Sequence, residues 1–194
     1  RFAPLPLQED WDNAGLQIGL TEAEASGALL CLDVNEQIVD EAIAKGCNII
    51  VSHHPLLFRG LKRISGDDYV QRVVIKAIKH DICIVSMHTN MDNARGGVNF
   101  KMAEKLGLAN VRFFAEKTGA DAGSGVVGEL PEAVSAEDFV AAVKKAFGVE
   151  CAMCNELLKR PVKTVAICGG AGDFLLPQAI AMGADAFITG EMHY

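Results

Sequence analysis

Short apolar runs alternate along this chain with stretches in which apolar residues recur every three or four positions. The first run, residues 27–33 (GALLCLD), reads as a buried strand. Asn35 then stands where it can cap a helix running to about Lys45. Ile38, Val39, Ala42 and Ile43 form its apolar face and Gly46 ends it. Strands at 48–52 and 82–87 follow. Between them a helix starts at Asp67 or Asp68, with Val70, Val73, Val74, Ala77 and Ile78 at helical spacing. A polar loop containing Gly96 and Gly97 leads into a helix near 98–106. The pattern then resumes with a strand at 125–130 and a capping-box-like Ser135-x-x-Asp138 opening a helix through Phe147. A strand at 163–168, a helix at 173–182 and a strand at 185–189 complete it. Such alternation predicts an α/β fold with largely parallel sheets and helices on both faces. The weakly apolar stretch 115–124 is the expected linker or insertion point between a first half, 1–114, and a second, 125–194.

Composition narrows the function classes. Half of the 194 residues are hydrophobic and the formal net charge is −7, with no surplus of cations to displace counterions from a nucleic-acid backbone. Lys62-Arg63 and Lys144-Lys145 are too short to form a basic patch, so no nucleic-acid partner is expected. No apolar run approaches the ~20 residues of a membrane span, and no charged-then-apolar leader opens the chain. The expectation is a cytoplasmic protein. Of the six cysteines, Cys31 and Cys83 sit inside apolar runs, where a thiol behaves as a small hydrophobe. Cys151-x-x-Cys154 has no second Cys or His pair at zinc-finger spacing.

Candidate chemistry collects at the ends of the expected strands. Asp33 follows the first, His53 and His54 the second, His88 the third, and Glu191 the last. Parallel strands bring such residues to one rim, where open α/β sheets bind ligands. In Ser52-His53-His54-Pro55 the end of the strand lets the backbone turn both imidazoles toward one cavity. Two neutral imidazoles with carboxylates suit zinc, iron, manganese or cobalt, and adjacent histidines can feed two neighbouring ions. The bland reading is a hydrogen-bonded structural pair. His88-x3-Asp92 adds a carboxylate able to bridge two cations, with His88 either a ligand or a group orienting one. Gly169-Gly170-Ala171-Gly172 suits an anion cradle or a tight structural turn; it lacks the P-loop and dinucleotide signatures. Glu191 is a candidate for proton transfer from its rim position.

Four segments together carry a family resemblance. They are Glu9-Asp10-Trp11-Asp12-Asn13-Ala14-Gly15-Leu16, Val51-Ser52-His53-His54-Pro55-Leu56, His88-Thr89-Asn90-Met91-Asp92 with Gly96-Gly97-Val98-Asn99, and Ala186-Phe187-Ile188-Thr189-Gly190-Glu191. In order and content they resemble the interacting-factor-three-like family, also called GTP cyclohydrolase type-two homologues. The resemblance implies two intertwined α/β halves, a toroidal homohexamer, and a dinuclear divalent-metal centre in each subunit. The family's metal ligands fall on His53, His54 and Asp92. It further implies a metal-dependent hydrolase acting on a nucleotide-like small molecule, or alternatively a non-catalytic metal-binding ring that serves protein partners.

Two departures accompany the resemblance. The family completes its metal site with a His and a Glu four residues apart, beyond the Thr-Gly-Glu motif, and His193 lies in a different motif from these. Either the sequence lacks a tail or the metal centre is incomplete; the opening Arg1-Phe2-Ala3-Pro4, which resembles the interior of the family's first region, favours truncation. Long members also carry an inserted domain, and 115–124 is where it would join.

Overall fold

The structure, a computed structural model, describes residues 2–117 and 121–193. The chain folds as two compact units, one spanning Ala3–Met91 and the other starting at Asp92 and including Phe2. Each carries its own four-stranded mixed sheet.

In the first unit, β1 (Gly15–Ile18), β2 (Ala28–Cys31), β3 (Ile49–Ser52) and β4 (Cys83–Ser86) lie in the order β1-β4-β3-β2. β2, β3 and β4 are mutually parallel, and β1 runs antiparallel to β4. The connecting helices are α1 (Glu36–Ala44) and α2 (Tyr69–Lys79). Asn35 caps α1 by accepting the Ile38 N–H, and Asp68 caps α2 by accepting that of Gln71.

Because β2, β3 and β4 are sequential neighbours, right-handed crossovers place α1 and α2 on the same face of the sheet, where they pack together. The expectation of helices on both faces therefore fails for this sheet. The register aligns Leu29, Ile50 and Ile84 on the helix-covered face. There they join Val39, Ala42, Val73 and Ala77 in one core. Leu30 points the other way and is 74% exposed, so β2 is a half-exposed edge strand, not the buried strand its composition suggests.

The second unit contains α4 (Val98–Lys105), β5 (Ala109–Glu116), β6 (Gly123–Val134), α5 (Ala136–Phe147), β7 (Val162–Cys168), α6 (Leu176–Ala181) and β8 (Ala186–Thr189). The short α3 (Thr89–Asp92) precedes α4 and contains the boundary between the units. The sheet order is β5-β6-β7-β8, with only β7 and β8 parallel. The expectation of largely parallel sheets is thus corrected: the second sheet is mostly antiparallel. The cause is β6, which pairs antiparallel with both β5 and β7. Ala109–Glu116 carries neither a clean alternation nor a continuous apolar run, yet it pairs with β6 down to Glu116 opposite Gly123. The stretch 115–124 accordingly includes the end of β5 and the start of β6, while residues 118–120 lie outside the described residues.

Phe113, Val126, Phe139, Val162, Val165 and Ile167 form the core of this unit. The parallel pair is anchored by Asp185, whose carboxylate accepts the Lys163 and Thr164 N–H groups at 2.9 Å each. Ser135 caps α5 by accepting the Asp138 N–H and donates its hydroxyl to the Asp138 carboxylate. Among the described residues no helix is long and apolar enough to cross a membrane.

Candidate metal centre

The parallel ladder continues past the last residues of its strands. His53 N–H donates to the Cys31 carbonyl, His54 N–H to the Leu32 carbonyl, and Met87 N–H to the Ser52 carbonyl. Two buried serines hold the histidine backbone from the core side. Ser86 Oγ donates to the His53 carbonyl and Ser52 Oγ to the His54 carbonyl, both at 2.9 Å. The chain is thereby fixed where it leaves the sheet, and both imidazoles turn to one side. Their ring centroids lie 5.0 Å apart, and those of His53 and His54 lie 5.2 and 5.7 Å from that of His88.

Each ring is anchored through Nδ1. His53 Nδ1 meets the Met87 carbonyl at 2.9 Å, His54 Nδ1 the Asp33 carboxylate at 2.7 Å, and His88 Nδ1 the Asp12 carboxylate at 2.8 Å. A carbonyl or ionised carboxylate only accepts, so Nδ1 is the donor in all three contacts, and Nε2 is the nitrogen each ring has left for an ion. One ligand atom from each of the three residues falls within a group spanning no more than 4.8 Å. This donor set fits a borderline divalent ion: three imidazole nitrogens, each ring oriented from behind.

The carboxylates behind the rings differ. The Asp33 side chain is exposed, whereas Asp12 is enclosed by hydrogen bonds from the Thr89 N–H at 3.0 Å, the Thr89 hydroxyl and His88. Burial pushes the Asp12 carboxyl up, but the hydrogen bonds from Thr89 and His88 outweigh it and hold the group below its ordinary value. Burial, with the nearby Asp33 charge, pushes the Cys31 thiol up, away from thiolate reactivity.

Of the residues singled out in the sequence, His53 and His54 meet in this cluster, and His88 joins them as a third candidate ligand. Asp92 ends α3 and is counted with the second unit; its carbonyl accepts a hydrogen bond from Asn99 Nδ2 at 3.2 Å. Glu191 follows β8 and is exposed, with its carboxylate 3.6 Å from His193 Nε2. His193 is held above the ordinary imidazole value, first by its hydrogen bond to Asp173 and then by the Asp173 and Glu191 charges.

Two of the glycine loop's N–H groups are used internally: Gly169 donates to Asn99 Oδ1 and Gly172 to Thr189 Oγ1. A Cβ on Gly172 would come 2.6 Å from that of Cys168, which favours the tight structural turn over the anion cradle. All six cysteines are free; Cys151 and Cys154 are exposed. The sequence reading missed Asp12, Ser52 and Ser86 as supports for the site. Asp12 was visible only inside the Glu9–Leu16 motif and Ser52 only inside the His-His motif, and nothing in the pattern marked Ser86.

Comparison with known proteins decides the family. The profile described as Duf34/NIF3 (NGG1p interacting factor 3) matches residues 1–194. The chain belongs to the Duf34/NIF3 family. It is 34% identical to a "GTP cyclohydrolase 1 type 2 homolog" of Clostridium acetobutylicum, over all of the chain and 73% of that relative. A homologue of the same name from Clostridium perfringens is 37% identical, over all of the chain and 74% of its own length. Among solved structures, the Bacillus cereus protein related to NIF3 superposes with a TM-score of 0.90 at 27% identity, covering the whole chain and 80% of that protein. Among the described residues of this Duf34/NIF3 chain, His53, His54 and His88 form a group that could hold a metal.

Proposed function

We propose that this Duf34/NIF3 chain is a dinuclear divalent-metal protein that hydrolyses a nucleotide-like small molecule. The observation that carries the reading is the convergence of three imidazoles, each fixed through Nδ1 and offering Nε2. His53, His54 and His88 would hold one ion. Asp92 is assigned as a bridging ligand to a second, from its place in the His88-x3-Asp92 motif. Zinc, iron, manganese and cobalt are the candidates, two ions per subunit. Bound there, the ions supply Lewis acidity and favour ionisation of water near neutral pH.

The chain's own residues do the rest. Asp33 and Asp12 orient His54 and His88. Glu191 is assigned to proton transfer. The relatives' name, GTP cyclohydrolase 1 type 2 homolog, supports a nucleotide-like substrate class. A toroidal homohexamer is the proposed assembly.

The test is metal stoichiometry followed by turnover of a nucleotide panel with the metal-reconstituted protein, beside Glu191→Gln. Two ions per chain with metal-dependent turnover that Glu191→Gln depresses is the expected result. Metal-dependent ring assembly without turnover of any nucleotide favours the non-catalytic scaffold instead.

A further inference from the structure

Trp11 is the single tryptophan of the chain. It is 62% exposed and stands beside Phe58, itself 50% exposed. Neither ring belongs to the hydrophobic core of its unit. Both flank a candidate metal ligand instead. The Trp11 and Phe58 centroids are 6.0 Å apart and lie 5.9 and 6.4 Å from that of His88. The sequence neighbours of Trp11 and Phe58 hold them there: Asp12 is locked to His88 and Thr89, and Asn13 to the Leu57 backbone.

Asn13 supplies direction. Its Nδ2 donates to the Leu57 carbonyl at 2.7 Å and, more weakly, to Gln17 Oε1 at 3.5 Å; that oxygen already accepts the Leu57 N–H. Both partners are acceptors, which fixes the amide orientation. Asn13 Oδ1 is left without a hydrogen bond among the described residues. Asn13, Gln17, Leu57 and Phe58, with the buried Ile18 and Val74, line an open cavity of about 720 Å³. That volume lies in the range of small-ligand pockets, which combine apolar walls with a few directed polar groups. Phe58 belongs to both this cavity and the aromatic group around His88.

We infer that Trp11 and Phe58 form a stacking subsite for a planar nitrogen heterocycle, with Asn13 Oδ1 accepting a ring N–H. Exposed aromatic faces bind the π-faces of bases through stacking, and an unused acceptor beside them selects rings that can donate. A heterocycle held there lies next to His88, so the bond offered to the metal centre belongs to the ring or to its immediate substituent. This deepens the hydrolase reading and rests on it for the chemistry, but the binding step is measurable alone.

Because Trp11 is the only tryptophan, its emission reports the subsite directly. The metal-loaded chain is titrated with guanosine, with purine riboside, which has no ring N–H, and with ribose 5-phosphate, which has no base. Metal content and sedimentation are measured on the same samples. The expected result is saturable quenching by guanosine and none by ribose 5-phosphate. Phe58→Leu, which keeps an apolar side chain but removes the π-face, should weaken guanosine at least about fivefold, the scale of one lost stack. Asn13→Ala should weaken guanosine while leaving purine riboside as it was.

Absence of saturable quenching in a chain that holds its metal overturns the subsite and leaves the metal centre standing. Guanosine binding by a chain that takes up no metal supports the subsite and overturns the hydrolase reading. Unaltered guanosine binding in Phe58→Leu overturns stacking. A concentration-dependent blue shift of Trp11 that tracks self-association and ignores guanosine assigns the aromatic pair to a contact between copies, and overturns the inference.

Discussion

The Asp12 carboxylate holds His88 Nδ1 at 2.8 Å across 76 positions of sequence, with its side chain wholly withdrawn from solvent. Asp33 makes the same kind of contact to His54 at 2.7 Å, but from a side chain that is 68% exposed. Water competes for the second contact and not for the first. The two carboxylates therefore do the same chemical work at very different strengths.

Replacing each carboxylate separates them. Asp12→Ala should weaken metal binding by about 10- to 100-fold, the usual effect of removing a group that orients a histidine ligand. Asp33→Ala should cost much less, because exposed ion pairs contribute little. Calorimetric titration with a competing chelator measures both. Equal losses would show that burial of Asp12 does not matter.

Alanine at His53, His54 or His88 should each lower bound metal in elemental analysis while far-UV circular dichroism stays that of the parent. These residues lie beyond the strands, outside the packed core. If His88→Ala holds as much metal as the parent, the third position in the cluster is wrong and only the adjacent pair binds.

Ser86→Ala should act on both stability and the site. The Ser86 hydroxyl is fully buried and donates to the His53 carbonyl at 2.9 Å. Its loss leaves the His53 carbonyl short of a partner, a cost of about 1 kcal/mol in urea unfolding. Metal affinity should fall with it, since His53 loses its backbone anchor. Unchanged affinity in a destabilised protein would confine the serine to a structural role.

Asp68 should contribute to the acid limb of stability. Its carboxyl sits below the ordinary value, chiefly because it accepts the Gln71 backbone N–H at the start of α2. A depressed folded-state pKa means the contribution is complete above the unfolded-state value of ~3.9. It is lost as pH falls through the lower folded-state value. Asp68→Asn keeps a capping oxygen without the titration, so urea midpoints measured from neutral pH downward should fall less steeply than in the parent. Parallel curves would remove Asp68 from the acid response.

The strands and helices of the parallel part of the first sheet, with the caps at Asn35 and Asp68, were written locally, as was the cap of α5 at Ser135. Apolar period and a capping side chain within three residues suffice to specify them. The rim position of His53, His54 and His88 also followed from the sequence, because a residue after a strand in a βα unit has one place to go. Strand order and the direction of β5 did not follow. Ala109–Glu116 becomes a strand only because β6 offers it a partner, and that pairing turns the second sheet mostly antiparallel. Nor could local pattern show that α1 and α2 share a face, since this depends on which strands are neighbours. The supports of the site were hidden for the same reason. Asp12 reaches His88, and Ser86 reaches the His53 carbonyl, only after β1 and β3 have paired with β4. Residue types and local periods determined most of the elements and the candidate ligands, but not β1 or β5; long-range pairing alone decided those strands, what stands behind each ligand and which way it points.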